Sequence, residues 1–302
     1  MFVVRDVPAG AAATVEPLGT KYKFWFRDPD FGLMLFKEGR PGTGENWAER
    51  IACELADRIG MPHARYELAT YETREGVVST SLVERGARIV HGNELLASLT
   101  TDYTQGARYR NSNHTLRRVV AYLRAGSDSI GAPYGWEQTE RIRSALDFFV
   151  GYLMFDAWIG NQDRHDENWG LLRTLEGNLY LSPSFDHGSS MARNISDEQR
   201  VERLTTKNMQ RHISKFVETA RSGLYTNPNE NAGKSLLTLD AFEGAAAFSR
   251  DAATEWKERL LGVDRTTISD VISMVPSEWM SAQARDFTAE LLCLNRERIL
   301  RL

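Results

Sequence analysis

Two polar segments in the second half of the chain contain side chains that can act as acids, bases or metal ligands. Residues 160–168 read GNQDRHDEN and follow a long apolar stretch. Residues 182–188 read SPSFDHG, in which Asp186 leaves an apolar stretch and enters a glycine turn. Charged side chains are almost never fully buried unless they are paired, so such runs have no ordinary use in a packed core. Both segments are therefore candidates for an active site.

The carboxylates and the amide in these segments suit phosphoryl transfer. That reaction needs a carboxylate to orient the attacking hydroxyl, oxygen ligands for Mg²⁺ and a cation for the nucleotide phosphates. Four residues separate Asp163 from Asn168, which is the spacing between the base and the metal-binding asparagine in the catalytic loop of protein kinases. Asp186 stands where a second metal-binding carboxylate is expected. The pattern is therefore typical of a phosphoryl-transfer site.

Residues that could bind phosphate occur earlier in the chain. Lys37 ends an apolar strand-like run, and Glu49 lies at the edge of the apolar face of the helix that follows, where it can hold the lysine by an ion pair. Gly19 is a candidate for a turn that covers the phosphates, and Thr20 is the nearest hydroxyl to it. These four residues are predicted to bind the nucleotide or to position a residue that does.

His165 is grouped with Asp163 as a residue of the catalytic loop. An imidazole can be a metal ligand, a general base or a hydrogen-bonding partner that holds a loop. By analogy with the histidine of kinase catalytic loops, we favour the third role, in which His165 bonds to the backbone of its own loop.

The elements that must position these residues follow from the apolar pattern. Short strands are predicted over residues 2–5, 21–27, 32–37, 65–71 and 77–83. One helix lies among them, over residues 45–59, and Gly60 and Pro62 terminate it. After Glu84 the periodicity becomes helical, most clearly over residues 139–159, with one hairpin between residues 169 and 181. The sequence thus predicts an α+β fold with a β-rich N-terminal part, residues 1–84, and a mostly helical part, residues 85–302.

The composition restricts the class of protein. The 302 residues are 42% hydrophobic and 26% charged with a net charge of -4, which fits a globular chain without strong attraction to nucleic acid or anionic membranes. Cys53 and Cys293 lie far apart in apolar-periodic segments and are predicted to be reduced core residues. No secretory signal and no apolar run of bilayer length is evident. We expect a cytoplasmic protein with no membrane association and no direct nucleic-acid partner.

Taken together, the motifs resemble the HipA-like Ser/Thr kinases. The resemblance rests on FKEG at residues 36–39, on ENWAERIACELADRIGMP at residues 45–62, and on the two polar segments already described. It implies a two-lobed fold similar to protein kinases, with ATP and Mg²⁺ in the cleft between the lobes. It also implies roles for four residues: Asp163 as the catalytic base, Asn168 and Asp186 as Mg²⁺ ligands, and Lys37 on the α- and β-phosphates of ATP.

Two further expectations concern the nucleotide. The hinge between the lobes is expected near Leu82, so that the backbone of Val83 and Glu84 meets the adenine. Only some eighteen residues precede Gly19, so the chain is similar to short members of the family, without the N-terminal subdomain of the longer ones. The serine that the longer members autophosphorylate in the phosphate loop is not evident, and Thr20 is the nearest hydroxyl.

The resemblance favours transfer of the γ-phosphoryl group of ATP to a Ser or Thr hydroxyl of a protein substrate, and it is compatible with a toxin that has an antitoxin partner. The alternative is a lipid or small-molecule kinase, because such machinery serves both. Asp163 and His165 also match the Asp-x-His opening of some binuclear metallophosphatases. Too few histidines follow for that class, since only His187 and His212 remain. A nucleotide-binding protein without turnover is disfavoured, because no essential group is missing.

Overall fold

Six strands form one sheet in the N-terminal part of the chain. A computed structural model describes residues 1–15, 21–84, 86–99, 103, 111–228 and 234–302. The strands in chain order are β1 (Val4–Val7), β2 (Thr14–Val15), β3 (Lys23–Asp28), β4 (Gly32–Glu38), β5 (Tyr66–Tyr71) and β6 (Arg74–Thr80). Their spatial order is β1-β5-β6-β4-β3-β2. The first strand pairs in parallel with β5, and the other pairs are antiparallel.

The two faces of this sheet bury different sets of side chains. One face carries its own aromatic cluster, in which Phe24 and Phe36 stack with their ring centroids 5.2 Å apart. On the other face, Leu68 and Val77 join the main core with helix α1 (Glu45–Arg58). Alternate residues of a strand point to opposite faces, so the sheet is fixed against α1 in one register.

A second, smaller sheet lies in the C-terminal part. It contains β7 (Arg88–His91), β8 (Ile130–Gly131), β9 (Gly170–Arg173) and β10 (Leu179–Leu181) in the order β7-β9-β10-β8. The predicted hairpin is confirmed as β9 and β10, which pair antiparallel. This hairpin connects the two polar segments, so it brings residues 160–168 and 182–188 side by side.

Helices fill the rest of the C-terminal part. They are α2 (Gly92–Ala97), α3 (Leu116–Ala125), α4 (Ala145–Ile159), α5 (Asp197–Thr205), α6 (Ile213–Phe216), α7 (Thr238–Ala246), α8 (Arg250–Leu261), α9 (Arg265–Ser273) and α10 (Ala282–Leu300). Every residue of α4 except Asp147 is buried. None of the helices in the described ranges is long and apolar enough to span a bilayer.

Both ends of α4 are well defined. Ser144 and Asp147 form a capping box at its start, which satisfies backbone N–H groups that have no partner within the helix. Gly160 ends it in the left-handed region with φ 64°, which glycine adopts without steric cost. The polar loop therefore leaves a rigid, buried helix in a fixed direction.

The predicted α+β fold, with a β-sheet N-terminal part and a helical C-terminal part, is confirmed. Glu84 lies between β6 and β7, on the connection between the two sheets. The division into domains at residues 84 and 85 stays a prediction.

Candidate active site

Lys37 lies at the centre of a charged cluster that joins both parts of the chain. Its ammonium group contacts the carboxylate of Asp186 and lies 3.3 Å from Oε2 of Glu49. The lysine is on β4, the glutamate is on α1, and Asp186 belongs to the second polar segment. Three residues that the sequence singled out separately are thus in direct contact.

Glu49 holds two groups at once. One carboxylate oxygen lies next to Lys37, and the other accepts a hydrogen bond of 2.7 Å from the backbone N–H of His187. Only 1% of Glu49 is exposed. A Cβ added to Gly188 would lie 2.8 Å from Oε2 of Glu49, so the approach of the glutamate requires a glycine there.

The pKa values of this cluster follow from burial and charge. Burial disfavours the ammonium ion of Lys37, but the negative charges of Asp186 and Glu49 outweigh it and raise the lysine pKa well above its ordinary value. Burial likewise opposes ionisation of Asp186, yet the cations around it, Lys37 above all, lower its pKa. For Glu49, burial and the negative charge of Asp186 raise the pKa, and together they outweigh the positive charge of Lys37, which lowers it. Lys37 and Asp186 are therefore both charged at neutral pH.

The backbone of Asp186 adopts an uncommon conformation. Its φ is 58°, in the left-handed region that aspartate tolerates better than most residues. Its N–H donates a hydrogen bond of 3.2 Å to the Tyr66 hydroxyl. This geometry turns the chain at Asp186, so that its carboxylate meets Lys37 while the next N–H meets Glu49.

A buried ion pair holds the first polar segment. The guanidinium of Arg164, fully buried, forms two hydrogen bonds with Asp156 of α4, at 2.7 and 2.8 Å. The same guanidinium donates to the carbonyl oxygen of Asn168 at 2.8 Å and to the Ser184 hydroxyl at 2.9 Å. Arg164 thus links the helix, its own loop and the second polar segment.

Sequence reasoning did not identify this arginine as a functional residue. The signal that could have found it is Asp156, an acidic residue inside an otherwise apolar helix. A buried carboxylate needs a cationic partner, and Arg164 is eight residues further along.

Asp163 lies beside the second polar segment. Its Oδ2 accepts a hydrogen bond of 3.2 Å from the Ser189 hydroxyl, and about a third of its side chain is exposed. The Asn168 side chain donates from Nδ2 to the carbonyl oxygen of Asp163 at 2.7 Å. His165 accepts the N–H of Glu167 through Nδ1 at 3.1 Å. This bond is the kind of loop contact expected of His165, whose role in the reaction stays a prediction.

An open pocket borders Asp163 on the side of the second segment. Ser189, Ser190, Arg193 and Asn194 line it together with Gln162 and Asp163. The Arg193 guanidinium reaches the Ser189 hydroxyl at 3.1 Å. The residues that line this pocket are mostly polar, and it adjoins the predicted base.

The structure describes only some of the predicted nucleotide-binding residues. Gly19 and Thr20 lie outside the described residues. At the expected hinge, the N–H of Val83 donates to the Ser81 hydroxyl at 3.3 Å, and that hydroxyl donates to the Val83 carbonyl oxygen at 2.9 Å. Glu84 is exposed. Contact of Val83 and Glu84 with adenine stays a prediction.

Together these features define a kinase-like fold. A β-sheet that carries a lysine, held by a glutamate of a helix, is joined to a helical part. That helical part has a polar loop after a buried helix and an aspartate at a glycine turn. Residues 15–243 match the family model of the HipA-like C-terminal domain. The chain belongs to this family.

Two solved structures share the fold. The structure of CtkA, described as a proinflammatory kinase of Helicobacter pylori, matches with a TM-score of 0.72 and 18% identity, over 99% of this chain and 96% of that one. HipA of Shewanella oneidensis, in a complex with HipB and operator DNA, matches with a TM-score of 0.57 and 14% identity, over 98% of this chain and 66% of that one.

A curated relative is similar in sequence. The Helicobacter pylori protein named serine/threonine-protein kinase CtkA is 25% identical over 150 residues, which is 49% of this chain and 41% of that protein. The matched region thus spans less than half of the length of this relative.

Proposed function

We propose that the chain is an ATP- and Mg²⁺-dependent kinase that transfers the γ-phosphoryl group to a Ser or Thr hydroxyl of a protein. The observation that carries the proposal is the contact of Lys37 with both Glu49 and Asp186. Membership in the HipA-like family and the similarity to a protein named as a Ser/Thr kinase support the same reaction class.

The residues around Lys37 fit a nucleotide and its metal ion. Lys37 is a cation with only 12% of its side chain exposed, so it can bind the α- and β-phosphates in a region of low dielectric constant. Asp186 offers carboxylate oxygens. Asn168 donates from Nδ2 within its loop, so in the proposed site it would bind the metal ion through its Oδ1. Oxygen donors of this kind suit Mg²⁺, which neutralises phosphate charge when it is bound.

Asp163 fits the role of base. It already accepts a hydrogen bond from one serine hydroxyl, that of Ser189. A substrate hydroxyl in the adjoining pocket could donate to the same carboxylate, which would orient the attacking oxygen and accept its proton. The proposed base is held in place by the loop that Arg164 anchors to α4.

The test is ATP-dependent labelling of protein by the full chain, with Asp163→Asn beside the exposed Asp128→Asn as a matched control. We expect Asp163→Asn to lose at least about 10²-fold of the activity, as for the loss of a general base, and Asp128→Asn to keep it. Thermal melts of both variants should match the wild type. Full activity of a folded Asp163→Asn variant would refute the assignment.

The acceptor class needs its own experiment. Incubation with labelled ATP and either a cell lysate or mixed phosphoinositide vesicles should label proteins, and the label should be acid-stable phosphoserine or phosphothreonine. Label in lipid alone would favour the alternative, a lipid kinase on the same fold.

We also propose an antitoxin partner, on the strength of the fold shared with HipA of Shewanella oneidensis, whose structure contains HipB. Expression of the wild-type chain should then arrest growth, and expression of Asp163→Asn should not. Equal growth of the two strains at equal protein levels would argue against a toxin.

A further inference from the structure

A second cluster of ligand-type side chains lies at the C-terminal end of α1. Cys53 and Asp57 are one turn apart on the helix, and His63 lies just before β5. One atom from each, the cysteine sulfur, a carboxylate oxygen and a ring nitrogen, lies within 4.8 Å of both others. None of these three residues belongs to the candidate active site.

The imidazole of His63 is oriented like that of a metal ligand. Its Nδ1 lies 2.9 Å from the carbonyl oxygen of Ala64, which can only accept, so Nδ1 carries a hydrogen. Histidines that bind metals commonly donate their other ring N–H to such a carbonyl, which fixes the tautomer. The second nitrogen, Nε2, is thereby aimed at the cluster.

Nε2 of His63 and the carboxylate of Asp57 form an ion pair when the imidazole is protonated, and a metal ion bound between them would replace that proton. Nε2 lies 3.1 Å from Oδ1 of Asp57, and the His63 side chain is fully buried. Among the described residues, Nε2 has no aligned hydrogen-bond partner. A neutral Nε2 and a carboxylate oxygen are both acceptors, so their approach is favourable only with a proton or a metal ion at this position.

Cys53 supplies a third ligand and selects the kind of ion. Its sulfur accepts the backbone N–H of Tyr66 at 3.4 Å. Sulfur, imidazole nitrogen and carboxylate oxygen together are a donor set for Zn²⁺, and three protein ligands leave a fourth position for water.

The cluster can close to the size of a zinc site. For this donor set the tetrahedral ligands of Zn²⁺ are about 3.3 to 3.6 Å apart, so no pair of these atoms, all within 4.8 Å of one another, has to approach by more than about 1.5 Å. Asp57 has 35% of its side chain exposed and can move, which also gives the ion a path of entry. The competing cation, Arg65, is 3.6 Å from Asp57 and has 69% of its side chain exposed, so it can turn into solvent.

We propose that Cys53, Asp57 and His63 bind a zinc ion. The site is independent of the proposed kinase activity. Cys53 and Asp57 follow Glu49 at intervals of four residues, and the N–H of Ala64 donates to the carbonyl oxygen of Ser184 at 2.8 Å. A bound ion would tie α1 to the chain segment that lies beside the approach to Asp186.

Cobalt is the probe that tests the site, because Co²⁺ replaces Zn²⁺ and its bond to a thiolate gives a charge-transfer absorption band. The metal-free full chain is titrated with Co²⁺, and Zn²⁺ is added afterwards. We expect the band to saturate at one equivalent and to disappear when Zn²⁺ displaces the cobalt. Cys53→Ser should lack the band, and Cys293→Ser, the control at the other buried cysteine, should retain it.

Asp57→Asn is a second test that does not depend on whether Cys53→Ser folds, because it changes a partly exposed side chain. Its folding without metal is checked by a thermal melt, and it should bind Co²⁺ at least about tenfold more weakly. Zn²⁺ should raise the melting temperature of the wild type and not that of His63→Gln. Any of three results would overturn the zinc site: no charge-transfer band in the wild type, the same band in Cys53→Ser, or unchanged Co²⁺ affinity in Asp57→Asn. The contact between His63 and Asp57 would then be an ion pair of a protonated imidazole with a carboxylate.

Discussion

Arg164 joins three parts of the candidate active site through one buried guanidinium. Its charge is compensated by Asp156, and its remaining donors reach Asn168 and Ser184. Removal of one partner from a buried ion pair leaves an unpaired charge in a region without water, which costs more than the pair itself contributes.

Asp156→Asn should therefore lower the free energy of unfolding by about 3 to 5 kcal/mol, measured by urea denaturation. The matched control is Glu218→Gln, in the exposed ion pair with Lys215, which should change stability little, as surface pairs generally do. Similar losses in both variants would contradict the role given to the buried pair.

His114 gives the protein a stability that depends on pH. Its Nε2 accepts the indole N–H of Trp169 at 3.0 Å, and its Nδ1 donates to the carbonyl oxygen of Gly223 at 2.9 Å. Burial lowers the pKa of His114 to about 4, against about 6.5 in an unfolded chain. Between pH 6.5 and pH 4 the unfolded state therefore takes up a proton that the folded state does not.

The stability contributed by neutral His114 should thus be complete above pH 6.5 and be lost as the pH falls to about 4, by about 3 kcal/mol in all. His114→Gln should show a smaller loss over this range when unfolding is measured at several pH values. His212→Gln, at a partly exposed position, is the control and should follow the wild type. An unchanged pH slope in His114→Gln would assign the loss to other groups.

The candidate site residues differ in how far the sequence could predict them. Asp163, Asn168 and Asp186 were identified because each stands in a polar run between apolar elements. Ser189 and Arg193 were not, since their partners are distant in sequence and nothing local distinguishes them. The contact between the two polar segments could not be predicted from the sequence.

At the scale of elements, α1 and the glycine turn after Asp186 depend on each other. Glu49 on α1 reaches the backbone at His187 only because Gly188 has no side chain. The helix therefore positions Lys37 and the second polar segment together.

Gly188→Ala should displace Glu49 and thereby Lys37, and a shift of about 1 Å can cost about 10²-fold in rate. The measurement is phosphoryl transfer together with a thermal melt, which should change far less than the rate. Gly262→Ala is the control, because its added methyl group would meet a backbone oxygen at 3.3 Å far from Lys37 in sequence. Normal activity of Gly188→Ala would show that the close contact between Glu49 and the backbone at residue 188 is not required for the reaction.

Local patterns predicted some elements well and missed others. The helix over residues 45–59 and the strand over residues 32–37 are confirmed as α1 and β4. The strand predicted over residues 77–83 is instead Arg74–Thr80, because its exposed polar start has no apolar alternation to mark it. The two-residue strand β8 was missed, since its partner among the described strands is the distant β10.

At the scale of the whole molecule, nucleotide binding should stabilise the fold. A ligand at a hundred times its Kd adds about 2.7 kcal/mol to the free energy of unfolding. Lys37, on the sheet, and Asp186, in the helical part, would both contribute to the bound state.

Mg²⁺ with ATP should raise the melting temperature, ATP with EDTA should raise it less, and Lys37→Ala should weaken the effect. Lys215→Ala, at an exposed position, should respond like the wild type. A melting temperature that changes with neither nucleotide nor Mg²⁺ would argue against the proposed kinase activity.

The contact between Lys37 and Asp186 also sets when the site can exist during synthesis. These residues are 149 positions apart in the chain, and proteins are made and begin to fold from the N-terminus. A growing chain can complete the six-stranded sheet once β6 has emerged, but it has no acidic partner from the second polar segment for Lys37 until Asp186 has left the ribosome. A nascent chain therefore cannot form the contact between Lys37 and Asp186 until well over half of it has been translated.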